Sequence, residues 1–120
     1  MSLRCLIVDD SPRFGDEARS LLEQEGLSVV GFATSGDEAL RLATELRPDL
    51  ALVDISLGAE SGFHVARRLA DLADTVPPKV ILVSTYDAEE FGGPIQASPA
   101  LGFIAKTELS ADRIRALIEG

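Results

Sequence analysis

Residues 6–11 read LIVDDS, an apolar run that ends in two adjacent carboxylates, Asp9 and Asp10, before a helix-starting Ser11-Pro12. Neighbouring residues of a strand point to opposite faces, so a simple solubility role would need only one acidic residue. Two in succession at the carboxyl end of a strand predict a loop that concentrates negative charge. Other polar residues of the chain indicate which ligand this negative charge binds.

The composition is that of one acidic domain. The chain has 120 residues, of which 46% are hydrophobic, which is enough for a real core. Its formal charge of -9 argues against direct binding to nucleic acid or to an anionic membrane, because both need a positive field. A single cysteine, Cys5, and the lack of a signal peptide or long apolar span predict a soluble, cytoplasmic protein. Cys5 itself is expected in the core.

Five short apolar runs alternate with helical segments along the chain. They lie at residues 3–8, 27–33, 50–53, 80–83 and 103–105. The runs are continuously apolar, which is typical of strands buried on both faces of a parallel sheet with right-handed crossovers. The sequence therefore predicts an α/β fold with a doubly wound, five-stranded parallel sheet, whose ligand binds at the carboxyl ends of the strands.

Helix signals separate these strands. Ser11-Pro12 begins the first helix, and Ser35 with Glu38 predicts a capping box at the start of the second. A third helix is predicted from about residue 63 to 72, and a last helix ends the chain. A fourth helix within residues 87–100 is expected to be short or broken, because its Gly-Gly-Pro costs roughly 1 kcal/mol per Gly and roughly 3 for Pro.

Polar residues follow four of the predicted strands at the point where each ends. They are Asp9 and Asp10 after the first strand, Asp54 after the third, Ser84 and Thr85 after the fourth, and Lys106 after the fifth. Parallel strands bring these ends to one edge of the sheet, so the six residues are expected to converge. Two carboxylates about 4 Å apart repel by roughly 4 kcal/mol at an effective dielectric constant of about 20, so three together need a cation.

The chemistry of this set indicates phosphoryl transfer. All-oxygen ligands favour Mg²⁺, which keeps waters and bridges a carboxylate to a phosphoryl group. The Lys106 ammonium supplies a second positive charge for a phosphoryl oxygen, and the Ser84 hydroxyl can donate to another. Asp54 remains as the nucleophile, because a carboxylate can attack phosphorus to give an aspartyl phosphate.

This constellation resembles the receiver domain of two-component response regulators, over nearly the whole chain. The resemblance implies a flavodoxin-like (βα)5 fold with strand order 2-1-3-4-5. It also implies a single receiver domain over residues 1–120, of the kind that can be excised from a longer response regulator. As a family, such domains are phosphoacceptors that depend on Mg²⁺.

The resemblance also assigns a role to each site residue. Asp54 becomes the phosphoacceptor, and the Tyr86 ring is expected to lie across the path of the water that hydrolyses the phosphoryl group. The full assignment is Asp9, Asp10, Asp54 and the Ser56 backbone carbonyl for Mg²⁺, Lys106 for the phosphoryl group, Ser84 and Phe103 for switching, and Thr85 and Tyr86 as flanking residues.

The function that this resemblance implies is a phosphorylation-dependent signalling switch. A sensor histidine kinase or phosphotransfer protein donates to Asp54, and the surface of the fourth helix, fifth strand and last helix then changes to control an output domain or partner. The chain is not expected to be an enzyme beyond its own phosphoryl transfer and autodephosphorylation. The resemblance also allows a homodimer through the same surface and a C-terminal DNA-binding output domain outside this chain.

Four residues at three places depart from the commonest pattern of that family. Leu57-Gly58 stands where Met-Pro is frequent and predicts a freer loop. Thr107 replaces the proline that usually follows the lysine, which predicts a trans peptide between Lys106 and Thr107. Phe103 lacks the hydroxyl of the more common tyrosine.

Three other classes of function remain open. A phosphohydrolase with an aspartyl-phosphate intermediate would also use Mg²⁺ and a lysine, although no second acid or cap domain is evident. A flavodoxin-like cofactor binder shares the architecture, but acids stand where its phosphate loop would follow the first strand. A phosphorylation-independent interaction module is the third alternative, although all the acceptor-site residues are present.

Overall fold

The computed structural model describes residues 3–73, 75–85 and 98–119 of the chain. Its strands are β1 (Arg4–Val8), β2 (Ser28–Ala33), β3 (Leu50–Asp54), β4 (Lys79–Ser84) and β5 (Gly102–Ala105). Its α-helices are α1 (Pro12–Gln24), α2 (Gly36–Leu46), α3 (Gly62–Ala70) and α4 (Ala111–Glu119). Two further elements are the hairpin of Ser56–Leu57 with Glu60–Ser61, between β3 and α3, and the 3₁₀ helix Lys106–Glu108 after β5.

The five strands form one parallel sheet in the order β2-β1-β3-β4-β5. This confirms the predicted order and the predicted fold class. Alternate strand residues enter two separate cores, because successive side chains of a strand point to opposite faces. Leu6 and Val8 pack with residues of α2 and α3, whereas Cys5 and Ile7 pack with residues of α1 and α4. The sheet is therefore covered on both faces.

Cys5 lies inside the second of these cores, as predicted. Its side chain is fully buried, and this burial raises the pKa of the thiol to about 12. The thiol therefore stays protonated at neutral pH and packs as a small apolar group.

The helix caps follow the sequence signals with one difference. Ser11 Oγ accepts a hydrogen bond from the Phe14 N–H, and Ser35 Oγ accepts one from the Glu38 N–H. The predicted capping box is only half formed, because the Glu38 carboxylate accepts from the Thr34 N–H at 2.8 Å instead of from the cap residue. The carboxylate still satisfies a backbone donor at this end of α2.

Other sequence expectations have mixed outcomes. The third helix runs from Gly62 to Ala70, slightly earlier than predicted. The peptide between Lys106 and Thr107 is trans, since the described residues contain no cis peptide bond. The predicted fourth helix falls mostly outside the described residues. In the part of the chain that the structure describes, no helix is long and apolar enough to cross a membrane.

The loop after Asp54, which Leu57-Gly58 predicts to be freer than one with Met-Pro, has contacts that restrain it. Leu57 is buried in the core between the sheet and α2 and α3. The hairpin pairs Ser56 with Ser61, and the Gly62 N–H donates to the Ile55 carbonyl at 2.7 Å. A proline is therefore not needed to restrain this loop, because packing and backbone hydrogen bonds do so.

Replacing Gly62 with Ala should destabilise the fold by about 2 kcal/mol, as expected for a clash that forces the backbone to move. A Cβ at this position would lie 2.6 Å from the Ile55 Cα, so α3 could not approach β3 as closely. Urea denaturation would measure the loss. Gly102→Ala is the matched control, since a Cβ there would meet only side-chain atoms of Leu117, the nearest at 2.8 Å, and not the backbone. A loss at Gly62 no larger than that at Gly102 would contradict the packing argument.

Candidate functional site

The acidic pair after β1 has one buried and one exposed carboxylate. Asp9 is fully buried, and its Oδ1 accepts a hydrogen bond from the Ser11 N–H at 2.8 Å. Its own N–H donates to the Ala33 carbonyl of β2 at 2.9 Å. Asp10 is exposed. The alternation of neighbouring side chains thus gives the pair one carboxylate inside the protein and one at the rim.

Asp54 ends β3 and lies beside this pair. β1 and β3 are parallel neighbours, and their pairing continues up to the residues that precede Asp9 and Asp54. Asp54 is also buried, and its Oδ1 accepts from the Ser56 N–H at 3.1 Å. One carboxylate oxygen from each of Asp9, Asp10 and Asp54 can be chosen so that all three lie within 4.8 Å of one another. Such close carboxylates repel and favour a cation.

Lys106 contacts two of these three carboxylates. It is the first residue of the 3₁₀ helix after β5. Its Nζ lies 2.7 Å from Asp9 Oδ2 and 3.2 Å from Asp54 Oδ2. Only 13% of the lysine side chain is exposed, so both ion pairs are largely removed from solvent. Residues predicted at the ends of three different strands are therefore in direct contact.

The pKa values of Asp54 and Lys106 are both raised by this environment. Burial raises the pKa of Asp54 above its ordinary value, and the nearby charge of Asp9 adds to the increase. The Ser56 N–H and the Lys106 ammonium oppose it but do not cancel it. Burial works to lower the pKa of Lys106, but the hydrogen bond to Asp9 and the charges of Asp54 and Asp9 outweigh burial and raise it. The lysine is thus firmly protonated at neutral pH.

Phe14 belongs to the site and was not identified from the sequence. The Lys106 Nζ lies 4.3 Å from the centre of the Phe14 ring, a distance at which the ring face attracts a cation. The sequence marked Phe14 only as an apolar residue of the first helix. Its place in the first turn, next to the end of β1, was the available signal.

A surface cavity of about 420 Å³ opens next to these groups. Its wall includes Phe14, Thr85, Lys106 and Thr107, together with residues of α1. Thr85 is exposed, whereas Ser84 is buried at the end of β4. In the pairing of β4 with β5, Ser84 lies opposite Ala105, the residue before Lys106. The serine and threonine therefore belong to the same edge of the sheet as the acidic group.

The remaining predicted residues differ in where they lie. Phe103 is half-buried on β5 and packs against the core on the α2 and α3 side. Ser56 is exposed and begins the hairpin after β3, where its N–H contacts Asp54. Tyr86 lies outside the described residues, so its expected position over the phosphoryl group is not addressed by the structure.

Comparison with known proteins gives the same picture of the chain. A family model described as the response regulator receiver domain matches residues 5–119. The transcriptional regulatory protein LiaR of Bacillus subtilis is 31% identical, and the alignment covers 98% of this chain and 57% of that protein. The chain spans about half the length of other curated relatives that it matches.

Solved structures agree in fold. The signal receiver domain of a modulated diguanylate cyclase from Desulfovibrio desulfuricans G20 is 34% identical with a TM-score of 0.80, covering 99% of this chain and 92% of that one. A response regulator protein from Burkholderia pseudomallei, solved with a phosphorylated aspartic acid, calcium ion and citrate, is 26% identical with a TM-score of 0.80, covering 97% and 66%. With the acidic group, the lysine and the sheet order in place, this chain belongs to the receiver domain family of two-component response regulators.

Proposed function

We propose that this receiver domain accepts a phosphoryl group on Asp54 and acts as a signalling switch. The observation that carries the proposal is the position of the buried Asp54 carboxylate. It lies within 4.8 Å of oxygens of Asp9 and Asp10, and its Oδ2 is 3.2 Å from Lys106 Nζ. A carboxylate held between a metal-binding group and a lysine is suited to attack phosphorus. The related structure from Burkholderia pseudomallei, which contains a phosphorylated aspartic acid, supports this choice of nucleophile.

The acidic group fits Mg²⁺ by its donor chemistry. Asp9, Asp10, Asp54 and the Ser56 carbonyl would hold the ion, since carboxylate and carbonyl oxygens are the ligands of hard cations. When bound, Mg²⁺ neutralises charge on the carboxylates and on the phosphoryl oxygens. The three carboxylates and one lysine leave two negative charges uncompensated in the described site, which favours a divalent cation.

The transfer uses the protein's own groups in separate roles. An oxygen of Asp54 forms an O–P bond as the N–P bond of the donor phosphohistidine breaks, and the released imidazole keeps the electron pair and takes up a proton. Lys106 already contacts Asp54 and Asp9. When Asp54 is phosphorylated, the ammonium would exchange one of these carboxylate contacts for a contact with a phosphoryl oxygen. Burial of Asp9 and Asp54 strengthens these interactions by limiting water at the site.

The new charge on Asp54 is proposed to act through the neighbouring end of β4. Ser84 and Thr85 would contact the phosphoryl group, and Phe103 would repack in response. The half-buried position of Phe103 on the edge strand β5 supports this role, because its ring can change its exposure without disturbing the inner strands. Such coupling is typically about 1 to 3 kcal/mol, enough to bias an interface but not to remodel the fold.

The proposed partners follow from the relatives. Sensor histidine kinases or phosphotransfer proteins would donate the phosphoryl group in the cytoplasm. The surface formed by the fourth predicted helix, β5 and α4 would then control an output, by homodimerisation or by contact with a DNA-binding domain. The name of LiaR, a transcriptional regulatory protein longer than this chain, supports an output of that kind. The domain itself would catalyse only its own phosphorylation and dephosphorylation.

Phosphorylation by a small donor tests the proposed function directly. Incubation with acetyl phosphate and Mg²⁺ should add one phosphoryl group, seen as a single shift by intact mass spectrometry, and a chelator should prevent it. Loss of the label over time should release no more than one phosphate for each loaded protein. No labelling in Mg²⁺ would contradict the proposal. Sustained turnover of a generic phosphomonoester would favour the phosphohydrolase alternative instead.

A further inference from the structure

Glu60 connects the loop after Asp54 to the start of α2. It lies in the second strand of the hairpin that follows β3, and its Oε1 accepts a hydrogen bond from the Gly36 N–H at 2.9 Å. The two residues are 24 positions apart in the chain. This contact therefore fixes the hairpin against a helix that begins at the same edge of the sheet as the acidic group.

The contact is favourable on two physical grounds. Gly36 is the first residue of α2, where backbone N–H groups have no partner inside the helix. The partial positive charge at a helix N-terminus also favours a carboxylate. Ser35 satisfies the Glu38 N–H, so Glu60 and Ser35 serve different donors of the same first turn. Glu60 is therefore a specific partner of Gly36 and not a replacement for the cap.

The missing side chain at position 36 makes room for this approach. A Cβ there would lie 2.6 Å from Glu60 Oε2 and 3.0 Å from Val65 Cγ2. Any larger residue would therefore push the carboxylate away from the helix. A second contact, between Arg68 of α3 and Asp37 of α2 at 3.0 Å, joins α3 to α2 and does not involve the hairpin.

The hairpin carries the constraint from Glu60 to Asp54. Glu60 pairs with Leu57, which is buried in the core, and Ser61 pairs with Ser56. The Ser56 N–H in turn donates to Asp54 Oδ1 at 3.1 Å. Each step is a paired backbone or a hydrogen bond, so the position of Ser56 depends on where Glu60 is held.

We infer that Glu60 is a positioning residue for the metal and phosphoryl site. By anchoring the hairpin to α2, it fixes Ser56, whose N–H orients Asp54 and whose carbonyl is a proposed Mg²⁺ ligand. This inference rests on the proposed function. The affinity for Mg²⁺ then depends partly on Glu60, a carboxylate that does not touch the ion.

Isothermal titration of the chain with Mg²⁺ tests the inference. Glu60→Leu should weaken Mg²⁺ binding roughly 3- to 10-fold, less than the roughly 10- to 100-fold typical of groups that hydrogen-bond a metal ligand directly, because Glu60 acts through the hairpin. Glu60→Gln keeps an oxygen acceptor for the Gly36 N–H and should stay within about twofold of wild type. Gly36→Ala leaves the carboxylate in the chain but displaces it, so it should weaken binding as Glu60→Leu does.

Glu25→Leu is the matched control for loss of stability. Glu25 Oε1 accepts from the Ala111 N–H at the start of α4, at 2.7 Å, which is the same kind of contact at a helix far along the chain. Its removal should lower the thermal midpoint, measured by circular dichroism, without changing Mg²⁺ affinity. Unchanged affinity in both Glu60→Leu and Gly36→Ala would overturn the positioning role, as would an equal loss in Glu25→Leu. Absence of Mg²⁺ binding by the wild type would instead contradict the proposed function, and this inference with it.

Discussion

Replacement of Asp54 with Asn is expected to abolish phosphorylation by acetyl phosphate. The amide removes the nucleophilic oxygen but keeps the size of the side chain. Asp54 is the carboxylate that combines burial with contacts to both Lys106 and the Ser56 N–H in the described structure. Intact mass spectrometry in Mg²⁺ should show a single labelled species for the wild type and none for the variant.

The control for this experiment is the same change at an exposed carboxylate. Asp16 is exposed on α1, so Asp16→Asn should leave labelling at the wild-type level. Circular dichroism would establish that both variants fold. Undiminished labelling of Asp54→Asn would mean that another residue accepts the phosphoryl group, and the site assignment would then be wrong.

The same variant should also change the dependence of stability on pH. Because the pKa of Asp54 is raised on folding, its ionisation opposes the folded state. The contribution of Asp54 to the stability of the wild type is therefore most favourable below its ordinary pKa of 3.8. This contribution is lost as the pH rises through the higher pKa of the folded state. In a chelating buffer, Asp54→Asn should be the more stable protein at neutral pH, and the difference should shrink on acidification. Urea denaturation at several pH values would measure it.

The sequence predicted the sheet and the main polar contacts because both depend on local patterns. Continuous apolar runs indicated buried parallel strands, and parallel strands necessarily bring their carboxyl ends together. That rule predicted Lys106 at the same edge as Asp9 and Asp54, although the lysine is distant in sequence, and the structure adds the direct contacts. Resemblance to the receiver family then supplied proposed roles that the residue pattern could not, such as the switching role of Phe103.

The contacts that escaped prediction depend on how one segment meets another. The burial of Leu57 was not predicted, because it depends on the packing of α2 and α3 against the sheet. Glu60 had no assigned role in the sequence, and its contact with the Gly36 N–H depends on how the hairpin meets α2. Phe14 had the spacing of a core residue, and only the fold puts Lys106 over its ring. No periodic pattern encodes these pairings.

Lys106→Met is expected to be the most destabilising single change at the site when no metal is present. The lysine is the partner of the fully buried Asp9 and of Asp54, at 2.7 and 3.2 Å. Removing one member of a buried ion pair leaves an uncompensated charge and costs roughly 3 to 5 kcal/mol. Because the pKa of Lys106 is raised on folding, its stabilising charge is fully present below 10.5 and is lost as pH rises beyond that. The variant should therefore differ most from the wild type at neutral pH.

The chain has one other lysine, and it provides the matched control for this prediction. Lys79 is exposed at the start of β4, so Lys79→Met makes the same chemical change where no buried carboxylate depends on it. Its stability should stay within about 0.5 kcal/mol of wild type, as for surface substitutions in general. Urea denaturation in a chelating buffer would compare the two, and equal losses would contradict the argument from buried charge.

A double variant separates loss of charge balance from loss of packing. In Asp9→Asn/Lys106→Met, the buried carboxylate that needs the lysine is neutral, so much of the lost stability should return. If the double variant is no more stable than Lys106→Met, the lysine stabilises the fold through its contacts with Asp54 or Phe14 and not through Asp9. Mg²⁺ gives an independent reading, since a ligand that binds only the folded state stabilises it by about 2.7 kcal/mol at 100 times its dissociation constant. It should therefore recover stability in Lys106→Met, whose carboxylates lack a cation, and much less in the double variant, which has lost one of the proposed ligands.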